Sequence, residues 1–157
     1  MNKKDKQNLP LSEKIIGSFN ETEYILNEQN TLIITGKKYT GTINGRKTEY
    51  TLNPEKDIHK GKIQGKIGND RVNLFVSSDL FGNKTISGLY NRKQIELTVS
   101  KDFFGTNIEG KNTAVNIKRN FFSLNKSFEG KFEYDNKLMP LILSYIKYLE
   151  DLRTEVA

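Results

Sequence analysis

The chain has no cysteine, no tryptophan and a single histidine among its 157 residues. Without cysteine there are no disulfides, thiolate metal sites or cysteine nucleophiles, and the redox compartment stays undecided. One histidine with scattered acids is poor material for a metal centre, which wants several clustered ligands. The glycines are spaced for strands, not for the strand-to-helix turn that cradles phosphate. No cofactor is therefore expected. No apolar run reaches the length of a membrane span. The opening "MNKKDKQNLPLSEK" is polar and basic and does not read as a signal peptide, so a cytoplasmic location is expected, an expectation that a trimmed leader would remove.

What is present is charge. Lysine and arginine number 25 against 19 acids, a formal net charge of +6. That balance permits an anionic partner, yet in itself it speaks only to solubility. Charged residues make up 28% and apolar ones 35%, which is polar for a globular chain but not a disordered composition. The length suits one domain, residues 13–157, large enough to bury a core. The composition of residues 1–12 predicts a disordered tail. Heavy use of asparagine and lysine points to an AT-rich bacterial genome.

The chain repeats itself. "SSDLFGNKTISG" (77–88) returns as "SKDFFGTNIEG" (100–110). A large apolar residue, any residue, then glycine occurs at Ile34–Gly36, Ile43–Gly45, Ile63–Gly65, Ile86–Gly88, Ile108–Gly110 and Phe128–Gly130. From Gly45 onward the steps are 20 to 23 residues. After the middle glycines come alternating strands: Tyr50/Leu52, Val72/Leu74/Val76, Ile95/Leu97/Val99 and Val115/Ile117. "TEYILN" (22–27) echoes "TEYTLN" (48–53), so the repeat begins near Ile15. Between the strands of each unit lie turn sequences, of which Asn44–Gly45 carries the strongest hairpin signal.

Each strand pair is followed by an acid or amide and a bulky pair: Asp57-Ile58-His59, Asp79-Leu80-Phe81, Asp102-Phe103-Phe104 and Asn120-Phe121-Phe122. The aspartates fit Asx turns that accept backbone N–H groups. Gly82 and Gly105 fit the conformations bulky residues avoid. The phenylalanines are expected to swing back and plug the end of the core.

The tail departs from the repeat. In "LMPLILSYIKYLEDLR", Leu138, Leu141, Ile142, Tyr145, Leu149 and Leu152 recur at helical spacing, and Leu143 and Ile146 widen the apolar face. A helix over about 138–153 follows, with Asp135 or Asn136 as its cap and Pro140 in its first turn. The fold class predicted is mainly β: an antiparallel meander of repeated hairpins, roughly ten to twelve strands in all, with one apolar C-terminal helix packed in or against it. Such a sheet must hide its edges, and closure into a barrel around the helix does so. On that reading the repeated glycines thin the wall where the helix comes near. The alternative is an open or two-sheet arrangement with the helix across one mouth or face.

Antiparallel strands followed by the apolar "NKLMPLILSYIKYLEDL" resemble the tubby-type fold of tubby C-terminal domains, phospholipid scramblases and LURP-one-related proteins. The likeness covers most of the chain in layout. It implies a barrel wrapped around its last helix and brings no binding motif with it.

His59 occupies the slot of Phe81 and Phe104, so it reads as an altered plug; as a general base beside Asp57 it has no nucleophile that sequence can name. The hairpin tips carry Arg46, Lys47, Lys66, Arg71, Arg92, Lys93 and Lys111 against Glu49 and Asp70. If the hairpins align, one end is basic and suits an anionic lipid or another polyanion. Nucleic acid is disfavoured, since no exposed aromatics interleave with the basic residues. The same lysines also serve as solubilising residues that discourage edge pairing. The predicted function is a non-enzymatic binding or scaffold module; the alternatives are a self-associating structural protein acting as a homodimer, and an enzyme with a site near His59.

Overall fold

Period-two alternation runs through ten strands that pair in strict chain order. The computed structural model describes residues 13–31, 36–54, 60–118 and 123–156, with side chains described as far as residue 150. The disorder expected of residues 1–12 and the readings of Ile34, Asp57, His59 and Asn120-Phe121-Phe122 lie outside the described residues. The first hairpin is β1 (Glu13–Phe19) with β2 (Thr22–Asn30), and the second is β3 (Lys37–Ile43) with β4 (Arg46–Pro54). The next two are β5 (Lys60–Ile67) with β6 (Asp70–Ser78), and β7 (Lys84–Tyr90) with β8 (Lys93–Lys101). The fifth is β9 (Gly105–Gly110) with β10 (Thr113–Lys118). A two-residue strand, β11 (Ser127–Phe128), follows, and then α1 (Met139–Val156), entered through a 3-10 turn at Asn136–Leu138. Asp135 caps that turn by accepting a hydrogen bond from the Lys137 amide.

The eleven strands form one sheet, a nearly closed barrel. Its closure comes from a segment the repeat did not foretell. β11 runs parallel to β1, with Ser18 opposite Ser127 and Phe19 opposite Phe128. Three residues later Lys131 exchanges both backbone hydrogen bonds with Ala114 on β10. Residues 126–131 therefore stitch the first long strand to the last. Asn20 locks the stitch: its side-chain amide donates to the Gly130 carbonyl at 2.7 Å and its carbonyl accepts from the Gly130 amide at 3.0 Å. Tyr24 adds a phenol donated to the Leu124 carbonyl at 2.7 Å. Both sheet edges are thereby engaged, which removes much of the pairing template that an open meander presents.

The helix lies inside. Leu138, Met139, Leu141, Ile142, Leu143 and Ser144 are all fully buried. Successive helical residues point about 100° apart, so a helix covered at every one of these positions is surrounded, not docked on one face. Inward residues from every long strand close around it, among them Leu26, Leu52, Ile63, Leu74, Leu97 and Ile108. The interior has a polar thread as well. Tyr39 stacks on Tyr50 with ring centroids 4.7 Å apart and donates to Glu28 at 2.7 Å. The Tyr50 hydroxyl meets Ser144 of the helix at 2.6 Å.

The glycines that recur on inward faces are Gly17, Gly41, Gly65, Gly88 and Gly110, at intervals of 24, 24, 23 and 22 residues, and Gly61 faces inward outside that series. Gly36, Gly45 and Gly130, expected in this set, fall outside the strands, Gly45 as a turn residue with φ +78. The true second member follows Tyr39, an aromatic where later units carry isoleucine. The glycines also do a different job from the one expected. A Cβ on Gly65 would stand 2.1 Å from the Glu49 carbonyl and 2.5 Å from the Tyr50 Cα; one on Gly41 would stand 2.0 Å from the Ile25 carbonyl. At Gly41, Gly65 and Gly88 the crowding comes from the neighbouring strand, so these glycines let the wall coil tightly on itself, whereas Gly17 is crowded by the Leu124 and Lys126 carbonyls and Gly61, outside the expected set, by Tyr145 of the helix.

Candidate functional site

A meander sorts its loops. Every two-residue hairpin turn falls at one mouth of the barrel, and the described connectors at 79–83 and 102–104 fall at the other. α1 threads between them: Asn136, at its entry, lies 3.3 Å from Asn20 in the first hairpin turn, while Glu150, near its exit, pairs with Lys101 at the end of β8.

At the hairpin mouth all seven basic residues expected there are exposed. Arg46, Lys47, Lys66, Arg71, Arg92, Lys93 and Lys111 ring the opening instead of gathering in one spot. Cross-strand register sets Lys66 directly opposite Arg71 and next to Glu49. Two of the acids at this mouth are engaged, while Glu21 and Glu109 stay exposed beside the cations. Glu49 pairs with Lys38 at 2.9 Å, and that hydrogen bond and charge hold its carboxyl below the usual carboxylate range. Asp70 faces Arg46 at 3.9 Å. The other six cations make no ion pair among the described residues. Lys47 and Lys66 flank a groove of about 450 Å³ on the outer wall, whose lining also includes Thr51, Gln64 and the backbone of Gly65. Gln64 carries no signal in the sequence.

At the connector mouth the aspartates make the expected turns. Asp79 Oδ1 accepts from the amides of Phe81 at 2.8 Å and Asn83 at 2.9 Å. Asp102 Oδ1 accepts from Phe104 and Gly105 at 2.8 and 2.9 Å, and its Oδ2 accepts from the Asn107 side chain at 3.0 Å. The Asn107 bond and then the two amide bonds hold the Asp102 carboxyl below its ordinary value. Gly82 takes φ +84.

The aromatic plugs are not plugs. Leu80 is 97% exposed, Phe81 90%, Phe103 77% and Phe104 75%. The Asx turns end the strands before the connectors, so the bulky pairs project past the mouth. Tyr145 and Tyr148, in the middle of the helix, are the aromatics buried in the core instead.

Among the described residues there is no group of three or more histidines or acids that could hold a metal ion. Among them, too, no helix is long and apolar enough to cross a membrane. Comparison with protein-family models, with curated proteins and with solved structures gives no match.

Proposed function

We propose that the chain is a non-enzymatic binding module that meets an anionic surface with the basic mouth of its barrel. The interior is occupied by α1 and the inward side chains, so contact is made from outside. The observation that carries the reading is the set of six exposed cations on four consecutive hairpins that make no ion pair among the described residues. A ring of this kind suits repeated phosphate, sulfate or carboxylate groups, as on anionic lipid or another polyanion, more than one small anion.

The test is binding to phosphatidylserine-containing vesicles and to a sulfated polysaccharide across a salt series. Affinity is expected to fall steeply with salt and to drop by about tenfold or more in the Arg92→Glu, Lys93→Glu double variant. Binding that ignores both changes contradicts the reading.

A further inference from the structure

The opposite mouth carries a different chemistry. We infer that the connector mouth docks on a lipid bilayer by inserting Leu80, Phe81, Phe103 and Phe104 at the boundary between headgroups and acyl chains. These four side chains sit on two consecutive connectors, each exposed by three quarters or more. Apolar side chains this exposed, grouped at one mouth, mark an interaction surface. They are also held in place. Each pair is braced by an aspartate that takes two backbone amides, so presenting them costs little further ordering.

The layering matches an interface. The apolar pairs stand outermost. Behind them, at the ends of adjacent strands, come Lys60 on β5, Ser77 and Ser78 on β6, Lys84 on β7 and Lys101 on β8. Lysines at that depth reach headgroups while their stems follow the apolar chains. The acids of the loops, Asp79 and Asp102, direct one carboxylate oxygen each into their own turns.

The occupant is a bilayer and not a protein. Four side chains on two separate prongs offer about 600 Å², below the roughly 800 Å² per partner of a stable protein interface. Two prongs need no matching pockets in a fluid. A second copy would also bring a net charge of +6 against +6. Lysines and acids nearly balance at this mouth, so the attachment is apolar in origin and resists salt, unlike the contact proposed for the basic mouth. Each inserted side chain is worth about tenfold in partitioning.

The absence of tryptophan supplies a clean probe. In the full chain, Phe81→Trp and Phe103→Trp each give a single tryptophan, excited apart from the tyrosines at its red edge. On phosphatidylcholine vesicles their emission is expected to shift to the blue at low and high salt alike, while Leu89→Trp, on the outer wall, stays unshifted. The variant combining Leu80→Ser, Phe81→Ser, Phe103→Ser and Phe104→Ser is expected to lose vesicle co-sedimentation by about a hundredfold or more, with an unchanged melting temperature, since none of the four is buried. The Arg92→Glu, Lys93→Glu variant is expected to bind phosphatidylcholine as the parent does. Unshifted Phe81→Trp and Phe103→Trp emission overturns the inference, as does a serine variant that co-sediments like the parent. So does a parent dimer that the serine variant converts to monomer without any vesicle binding, which makes a second copy the occupant. None of these results bears on the basic mouth, whose own test is the salt series.

Discussion

The hydroxyl of Tyr50 on β4 lies 2.6 Å from the hydroxyl of Ser144 on α1, at the centre of the filled barrel. Ser144 donates onward to the Pro140 carbonyl at 2.6 Å, so Tyr50 is the donor to Ser144. Burial pushes the Tyr50 phenol well above its ordinary value and keeps it a donor. Tyr50→Phe is expected to cost about 1–2 kcal/mol. Ser144→Ala strands a buried phenol and is expected to cost more, about 2–3 kcal/mol. The double variant should fall short of the sum of the two, which urea denaturation of all three measures.

Crowding and backbone angle can be told apart at two glycines. Gly65 has the Glu49 carbonyl where a Cβ would go, at 2.1 Å, whereas Gly45 has nothing within 4 Å but takes φ +78. Gly65→Ala is expected to cost about 3 kcal/mol or more, because backbone must move. Gly45→Ala is expected to cost about 1 kcal/mol, the strain of a left-handed alanine. Equal costs in chemical denaturation would contradict the steric account of the repeat.

The stitch between β1 and β10 hangs on Asn20, which takes φ +46 in its turn. Asn20→Gly keeps that angle accessible and removes only the side-chain bonds to Gly130 and Asn136. A loss of about 1–3 kcal/mol is expected. The amides of Ser18 and Lys131, bonded across the seam, should exchange faster than those of β5 and β6.

Alkali should unfold the protein ahead of any change at neutral pH. Burial raises the phenols of Tyr24, Tyr50 and Tyr90, and pushes Tyr145 up to about 12 from an ordinary 10.0. The folded state then holds protons that the unfolded state releases above pH 10. Their contribution is complete below pH 10 and is lost as pH rises through the folded values. Stability should fall by about 1.4 kcal/mol per pH unit for each such tyrosine across that window. Tyrosinate absorbance should appear together with loss of the β signal in circular dichroism; titration of these phenols with the fold intact would contradict their burial.

Much of this fold is legible in the chain because hairpins are local. Alternation marks the inward residues of β4, β6, β8 and β10, and Asn44–Gly45 and the repeated aspartates mark turns by chemistry that needs no distant partner. The apolar tail reads as a helix, found at Met139–Val156 against an expected 138–153. Long-range facts read poorly. Nothing local in "SFEGK" says that Phe128 will lie parallel to Phe19, nor that Tyr39 stands in an isoleucine slot. Leu80, Phe81, Phe103 and Phe104 mislead for a plainer reason. Hydrophobicity argues for burial, and only the point where each strand stops shows that these residues lie beyond the core. The basic mouth was visible because turns alternate with connectors, whereas the groove beside Gly65 needs the coiled wall.

The whole account requires α1 to fill the barrel, leaving only its outside for ligands. Native-state hydrogen exchange of the amides in residues 141–146 tests this most directly. They should be among the slowest in the chain and exchange only through global unfolding, with the same free energy and denaturant slope as β4 and β5. Exchange of those helix amides through a separate, cheaper opening, with the strands still protected, would mean a helix that docks from outside and an interior open to ligand.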